Sequence, residues 1–191
     1  MGPIVLASTS RWRLQLLAEA GIVAEAADPE VDESKLVGKN PIDTAQIRAR
    51  AKAEAIHHQF PDSLVIGADQ VIDLDGVAIG KPVDADEWFS RLQSMRGRSH
   101  QLTTAIALID SGGVEAFAVT TTVKFRSDLE DQELRDYISQ GEAKGCAGGY
   151  MIERKGAWLV DSIDGDWLNV IGLPVLALVG RLRARGWRMP Q

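Results

Sequence analysis

The chain alternates between short, continuous apolar runs and longer stretches in which apolar residues recur at helical spacing. Residues 4–6 and 64–68 are apolar runs of strand length. Residues 101–109 and 114–126 carry long β-branched and apolar runs on either side of a Ser-Gly-Gly turn, which predicts a long β-hairpin. Strands and helices are therefore expected to be interspersed along the chain.

The remaining elements follow from helical spacing and from turn residues. Helices are predicted after a polar turn at 8–10 up to about residue 21, and at residues 41–59, 84–95, 130–139 and 173–185. Short strands are expected at 23–27 and 157–163, a hairpin at 71–79 and a loop at 164–172. No repeat, low-complexity tract or long linker divides the chain, so a single domain over residues 1–191 is expected, with room for two lobes.

The composition limits the class of protein. The 191 residues, 45% hydrophobic and 25% charged, suit one domain with a sizeable core. No apolar run approaches the about 20 residues of a membrane span, and the apolar start is too short for a secretory signal, so a cytoplasmic protein without membrane contact is expected. The net charge of -6 argues against a nucleic-acid-binding face, because such a face neutralises many phosphates. The single cysteine, Cys146, excludes an internal disulfide and a cysteine-based zinc site.

The polar turn after the first apolar run is a candidate anion site. Ser8 and Ser10 stand where the helix begins, so their hydroxyls can cap it, and its free backbone N–H groups favour a phosphate. Arg13 lies in the first helical turn within reach of the same anion, and Trp12 offers a flat ring on which a base can stack. An ordinary capped helix with a surface arginine and a packed tryptophan explains the same residues.

Three acidic residues and two lysines could complete such a site. Glu33 lies in an acidic turn, Asp69 follows an apolar strand, and Glu153 follows a glycine-rich segment. Glu33 and Asp69 together could hold Mg²⁺, which binds a few carboxylate oxygens together with waters and substrate phosphates. Lys52 and Lys81 are the complementary cations. A turn cap at Asp69 and solvated surface positions for both lysines are the competing interpretations.

Other site chemistries are disfavoured by spacing. The histidines, His57, His58 and His100, are not arranged as metal ligands or as part of a Ser-His-Asp triad. The chain contains neither GxxxxGK[ST] nor GxGxxG, so it has no Walker or Rossmann phosphate loop.

Taken together, these signals resemble the Maf (septum formation protein) family of nucleoside triphosphate pyrophosphatases over nearly the full chain. The matching segments are LASTSRWRLQLL at 6–17, VDE at 31–33, Lys52 within ARAKAEA, GADQV at 67–71, GKP at 80–82, CAGGY at 146–150 and IDGDWLNVIGLP at 163–174. The resemblance implies an α/β fold with an elongated mixed sheet of the Maf and ITPase-like kind, flanked by helices, and a central cleft between two lobes. It also implies metal-dependent hydrolysis of a nucleoside triphosphate to the monophosphate and pyrophosphate, and it makes a homodimer plausible.

The resemblance also assigns roles to the candidate residues. Five of them would contact the phosphates: Ser8, Ser10, Arg13, Lys52 and Lys81. Glu33 and Asp69 would hold the divalent cation, Mg²⁺ or Mn²⁺. Asp69 would be the general base that activates water for attack on the α-phosphorus, with pyrophosphate as the leaving group. Arg11 stands where the family usually has proline, so the turn is expected to be less rigid or to gain a cation.

Three positions are implied to report the base: Trp12, Gln70 and Glu153. Pyrimidine-type members usually carry Arg, Thr and Gln there, so this chain resembles the type that hydrolyses 7-methyl-GTP. Glu153 can accept from the N1–H and N2–H₂ groups of guanine, and Trp12 can stack on the cationic methylated base. An ion pair of Glu153 with Arg154 or Lys155 is the competing interpretation. The predicted function is therefore a pyrophosphatase of 7-methyl-GTP that could extend to other modified nucleotides. The alternatives are a dTTP/UTP pyrophosphatase and a non-catalytic nucleotide-binding regulator of division.

Overall fold

The computed structural model describes residues 2–188, which form one mixed sheet of seven strands flanked by helices. The strands are β1 (Ile4–Ala7), β2 (Ala24–Ala27), β3 (Leu64–Leu74), β4 (Val77–Ile79), β5 (Ser99–Asp110), β6 (Gly113–Phe125) and β7 (Val160–Asp164). The helices are α1 (Arg11–Glu19), α2 (Pro41–His57), α3 (Ala85–Met95), α4 (Asp131–Ser139), α5 (Trp167–Ile171) and α6 (Val175–Ala184). The predicted α/β class is confirmed.

The sheet combines parallel and antiparallel pairing. Its order is β2-β1-β3-β5-β6-β7, with β4 paired to β3 outside this path. Strands β2, β1 and β3 run parallel, whereas β3, β5, β6 and β7 pair antiparallel in succession. The predicted hairpin between β5 and β6 is confirmed over its full length, because every residue from Ser99 to Asp110 has a partner on β6.

Strand β3 is the centre of the fold and is covered on both faces along its first half. On one face Ile66 packs in an apolar cluster with Leu17 of α1 and Leu178 of α6. On the other face the small side chains of α2 lie against the sheet. Gly67 permits this close approach, because a Cβ at this position would lie 2.1 Å from the carbonyl oxygen of Ala49. Helix α2 is thereby held directly over the middle of the sheet.

The second half of β3 belongs to a separate hydrophobic core. Ile72 packs there with Trp88 and Leu92 of α3 and with Leu134 of α4. The indole N–H of Trp88 donates to the carbonyl oxygen of Gly149 at 2.6 Å, which ties α3 to the glycine-rich segment. The two halves of β3 thus carry two lobes, and the lobes meet where the strand passes from one core to the other.

The predicted end of β3 is wrong. The apolar run at 64–68 suggests a strand that stops before Asp69, but β3 continues to Leu74 and Asp69 lies inside it. Parallel pairing with β1 ends at Gly67, while antiparallel pairing with β5 continues to Asp73. Main-chain pairing does not require apolar side chains, so the polar residues after Ala68 did not end the strand. Asp69 is therefore placed just beyond the end of β1, beside the polar turn.

The region before the last helix also differs from prediction. The strand expected at 157–163 begins only at Val160, because residues 155–159 form a 3₁₀ turn. The loop expected at 164–172 contains α5, whose first N–H groups bond to the side chain of Asp166. Five residues are too few to show helical periodicity in a sequence. In the described part of the chain, residues 2–188, no helix is both long and apolar enough to cross a membrane.

Candidate active site

A cavity of about 800 Å³ opens between the two lobes. One side is formed by the turn at 8–10 and by side chains from α1, α2 and β3, and the other by residues 78–81, 145–147 and 150–153. All of the site residues predicted from the sequence line it: Ser8, Ser10, Trp12, Arg13, Glu33, Lys52, Asp69, Gln70, Lys81 and Glu153. The structure thus brings together side chains from distant parts of the chain, as the predicted site requires.

The polar turn has the geometry of a capped helix N-terminus. The hydroxyl of Ser10 accepts from the backbone N–H of Arg13 at 3.4 Å, and the hydroxyl of Ser8 accepts from the N–H of Ser10 at 3.2 Å. Arg13 then ties the turn to both neighbouring segments, since it donates to the carbonyl oxygens of Ala68 at 2.9 Å and Gly172 at 3.1 Å. The predicted cap is confirmed, and the turn is held against the middle of β3.

Arg13 is not the surface arginine of the competing interpretation. Burial lowers its pKa, and the nearby carboxylates of Asp69 and Glu33 act in the opposite direction. Its Nε and Nη1 atoms are engaged by carbonyl oxygens and by the hydroxyl of Ser8, but Nη2 has no hydrogen bond to any residue from 2 to 188. Arg13 therefore keeps N–H groups available for an anion at the turn.

Lys52 lies between the two carboxylates that the sequence singles out. Its Nζ atom is 2.7 Å from Oε1 of Glu33 and 2.7 Å from Oδ1 of Asp69. Lys52 is 6% exposed and Asp69 is 5% exposed, so the surface interpretation of this lysine is wrong. Helix α2 supplies the lysine, β3 supplies Asp69, and a short 3₁₀ turn capped by Asp32 supplies Glu33. Lys81, by contrast, is an exposed residue at the rim of the cavity.

The two carboxylates have opposite pKa shifts. Burial raises the pKa of Asp69, although Lys52 and Arg13 oppose the shift. Burial also disfavours ionisation of Glu33, but Lys52 and the cations around it outweigh burial and lower the pKa of this residue. Pairs of acids whose environments push their pKa values apart are typical of acid and base roles in catalytic sites. In Asp69 the protonated form is favoured relative to a free aspartate, and in Glu33 the ionised form is favoured relative to a free glutamate.

The carboxylates also suit a divalent cation. The Oδ2 atom of Asp69 is buried and has no hydrogen-bond partner in the described part of the chain. Within residues 2–188 no group of three or more His, Cys, Asp or Glu side chains forms a complete protein-only metal site. Mg²⁺ typically binds one or two carboxylates, retains waters and completes its shell with substrate phosphates. Glu33 and Asp69 therefore fit a metal that arrives with a phosphorylated ligand.

Trp12 and Glu153 line the same cavity beside the phosphate turn. The guanidinium groups of Arg11 and Arg154 lie 4.6 Å and 5.4 Å from the centre of the Trp12 ring, so the indole already attracts cations. Glu153 is not within salt-bridge distance of Arg154 or Lys155: Lys155 donates to the side chain of Gln140, and the charge of Arg154 acts on the Glu153 carboxylate only from a longer distance. Burial raises the pKa of Glu153. The competing ion-pair interpretation is therefore not what the structure shows.

Tyr150 forms part of the cavity wall and is fixed by a buried contact that the sequence does not reveal. Its hydroxyl lies 2.7 Å from Nε2 of His100, and the rings of His100, Phe125 and Tyr150 pack edge to face. Tyr150 thus both packs in the core and lines the cavity, whereas Trp167 is half exposed and lies away from it. His100 and Tyr150 are 50 residues apart, and no spacing signal connects them.

The fold and cavity define an α/β protein whose interlobe site suits a phosphorylated ligand carrying a planar ring. The N–H groups of a helix start, buried cations, a carboxylate pair and a partly buried indole ring meet in one cavity. The chain belongs to the Maf family, because residues 3–185 match the family described as Maf-like protein. The predicted family is confirmed.

Two relatives of this chain align with it over nearly its whole length. The chain is 41% identical to a 7-methyl-GTP pyrophosphatase of Aromatoleum aromaticum, over 98% of this chain and 97% of the relative. It is 40% identical to a dTTP/UTP pyrophosphatase of Syntrophomonas wolfei, over 95% of this chain and 96% of the relative. These names agree with the prediction of a hydrolase acting on acid anhydrides. One name specifies a guanine nucleotide and the other specifies pyrimidine nucleotides, so the names do not agree on the base.

The fold is shared with a more distant protein of known structure. The Ham1 protein of Staphylococcus aureus superposes with a TM-score of 0.56 at 15% identity, over 96% of this chain and 99% of that protein. The likeness confirms the predicted fold, a mixed sheet flanked by helices.

Proposed function

We propose that this protein is a nucleoside triphosphate pyrophosphatase that hydrolyses 7-methyl-GTP to the monophosphate and pyrophosphate. The observation that carries the proposal is Asp69, a buried carboxylate beside a phosphate-type turn. One of its oxygens is bonded to Lys52 and the other has no partner among residues 2–188. A relative named 7-methyl-GTP pyrophosphatase and a relative named nucleoside triphosphate pyrophosphatase support the reaction class.

Some residues of the site bind the substrate phosphates, and Asp69 transfers the proton. The turn at 8–10, Arg13 and Lys81 bind the phosphates, and Lys52 holds the carboxylate of Asp69 in place. The carboxylate of Asp69 takes a proton from a water whose oxygen attacks the α-phosphorus. The bond from this phosphorus to the bridging oxygen then breaks and pyrophosphate leaves. When bound by Glu33 and Asp69, Mg²⁺ or Mn²⁺ would supply positive charge to the phosphates as negative charge develops.

The choice of base rests on Trp12 and Glu153. A carboxylate accepts from the adjacent N1–H and N2–H₂ donors of guanine, whereas uracil and thymine place a single N3–H between two carbonyl oxygens that a carboxylate repels. Methylation at N7 makes guanine cationic, and a cation over an indole gains roughly 0.5–2 kcal/mol. A dTTP/UTP pyrophosphatase is the second candidate, because a relative of 40% identity has that name.

The test is a pyrophosphate-release assay with Mg²⁺ or Mn²⁺ on 7-methyl-GTP, GTP, UTP, dTTP, CTP and ATP. We expect the highest kcat/KM for 7-methyl-GTP and no release without a divalent cation. Asp69→Asn should lower kcat by roughly 10²–10⁴-fold, the range for loss of a general base. Asp73→Asn is the matched control, because Asp73 lies on the same strand, outside the cavity, and accepts a turn N–H from Gly76.

The outcomes separate the parts of the proposal. A higher kcat/KM for UTP or dTTP would leave the reaction in place and overturn the base assignment. Normal turnover by Asp69→Asn would remove Asp69 from the role of base. Nucleotide binding without release of pyrophosphate from any substrate would favour the non-catalytic regulator.

A further inference from the structure

The amide group of Gln70 has both of its N–H bonds committed to the protein. Its Nε2 atom donates to the backbone carbonyl oxygen of Asn169 at 2.7 Å and to the hydroxyl of Thr104 at 3.1 Å. Thr104 lies directly opposite Gln70 in the register of β3 and β5, and it is fully buried. An amide nitrogen carries two hydrogens, so no donor of Gln70 is left for a ligand.

The orientation of this amide is dictated by chemistry. A backbone carbonyl can only accept a hydrogen bond, so the atom of Gln70 that faces Asn169 at 2.7 Å must be the nitrogen. A flipped amide would place two oxygen acceptors against each other at that distance. Gln70 lines the cavity, and among residues 2–188 nothing donates to its Oε1 atom. The oxygen is therefore the hydrogen-bonding group that Gln70 can offer to a bound base.

The carbonyl that receives the amide is itself held in place. Asn169 is completely buried, and its Nδ2 atom donates to the carbonyl oxygen of Leu102 at 3.1 Å and to the hydroxyl of Thr121 at 2.9 Å. The side chain of Asp166 caps the short helix α5 to which Asn169 belongs. Rotation of the Gln70 amide would therefore break its hydrogen bonds to this anchored carbonyl and to Thr104.

We propose that Thr104 and the Asn169 carbonyl are positioning elements that lock the Gln70 amide with its oxygen toward the cavity, so that Gln70 presents only an acceptor to the base edge. Gln70 Oε1 and the Glu153 carboxylate then favour a base with adjacent donors, as in guanine, over uracil and thymine. This inference rests on the proposed function, because it assumes that the cavity binds a nucleotide.

Removing the hydroxyl of Thr104 tests the lock. Thr104→Val keeps the shape of the side chain but removes one of the two acceptors of the amide. The Asn169 carbonyl then orients the amide alone, so the flipped amide, with its N–H groups toward a carbonyl oxygen of a pyrimidine, becomes less unfavourable. We expect the ratio of kcat/KM for GTP to that for UTP to fall roughly 3- to 10-fold, the size of one hydrogen bond. Thr104→Ser restores the hydroxyl and should return the ratio to within about twofold of the wild type.

A neighbouring threonine supplies a matched control. Thr103 is also buried on β5, but its hydroxyl bonds to Thr120 at 2.8 Å and not to Gln70. Thr103→Val should leave the GTP to UTP ratio unchanged, and thermal melts of the variants establish that each one is folded. A folded Thr104→Val protein with the wild-type ratio, or an equal shift in Thr103→Val, would overturn the inference.

Binding measurements separate this inference from the proposed reaction. Calorimetry with GTP and UTP on Asp69→Asn, with and without Thr104→Val, measures the same preference without turnover. If the preference for GTP falls in the double variant, the positioning role of Thr104 is supported, whether or not the wild type releases pyrophosphate. If the wild type releases no pyrophosphate, only the proposed reaction is overturned. Equal affinity for GTP and UTP in Asp69→Asn would overturn the lock.

Discussion

Lowering the pH from 7 to 5 should destabilise this protein through His100. The imidazole is 2% exposed, its Nε2 atom bonds to Tyr150, and its Nδ1 atom has no partner in the described part of the chain. A second proton would place a charge and an N–H without an acceptor in a core formed by Phe125 and Tyr150. Burial accordingly lowers the pKa of His100 to about 4.

The direction and size of this loss of stability follow from the difference between the pKa of His100 in the folded protein and in the unfolded chain. In the unfolded chain His100 binds a proton near its ordinary pKa of 6.5, whereas the folded protein resists protonation down to about pH 4. Its contribution to stability is therefore complete above pH 6.5 and is lost as the pH falls toward 4. At pH 5 the loss amounts to about 2 kcal/mol in the free energy of unfolding.

Urea unfolding of the wild type and His100→Gln at pH 7 and pH 5 measures this loss. Glutamine does not titrate, so the variant should lose about 2 kcal/mol less than the wild type between the two pH values. The carboxylates make the same contribution to the pH dependence of stability in both proteins, so the comparison cancels it. Asp69 and Glu153 are among them, and their raised pKa values favour the folded state as the pH falls, opposite to the effect of His100. His58→Gln, at an exposed position, should behave as the wild type does. An equal loss in His100→Gln would refute the reasoning.

Three further substitutions test the cavity. Lys52→Met leaves Glu33 and Asp69 without their shared cation, so urea unfolding at pH 7 should show a loss of roughly 3–5 kcal/mol; unchanged stability would contradict a buried ion pair. Arg11→Gln frees the Trp12 ring for a base, so steady-state kinetics should show KM for 7-methyl-GTP falling about two- to fivefold; a rise in KM would instead show that Arg11 binds substrate. Glu153→Gln should reduce the ratio of kcat/KM for GTP to that for UTP; an unchanged ratio would exclude Glu153 from reading the base.

Most of the fold could be predicted from the sequence because it depends on local patterns. Continuous apolar runs mark β1 and the first half of β3, and the Ser-Gly-Gly turn marks the hairpin between β5 and β6. The prediction fails where a strand continues through polar residues, as at Asp69, and where a helix is too short for periodicity, as in α5. Both failures have the same cause, since main-chain pairing and a side-chain cap specify structure without an apolar pattern.

The site could be predicted as a set of residues but not as an arrangement. Family segments point to Lys52, Asp69 and Gln70 without indicating that the lysine bridges two carboxylates. The direction of the Gln70 amide depends on Asn169, which lies 99 residues away in the chain. Contacts between residues so far apart in the chain form only when the sheet forms, so the local spacing of residues in the sequence does not predict them.

A chain of net charge -6 needs local positive charge in its cavity if it is to bind a polyanion such as a nucleoside triphosphate. Four cationic side chains line the cavity: Arg13, Arg48, Lys52 and Lys81. Three carboxylates line it as well: Glu33, Asp69 and Glu153. The net charge of the cavity lining is therefore positive, whereas the net charge of the whole protein is negative. Lys52 is already neutralised by the carboxylates it touches, which leaves little charge to offset the several negative charges of a triphosphate. A divalent cation on Glu33 and Asp69 would supply the missing charge, and the unpartnered oxygen of Asp69 fits that need. We therefore expect triphosphate binding, and not only its hydrolysis, to weaken when the metal is chelated.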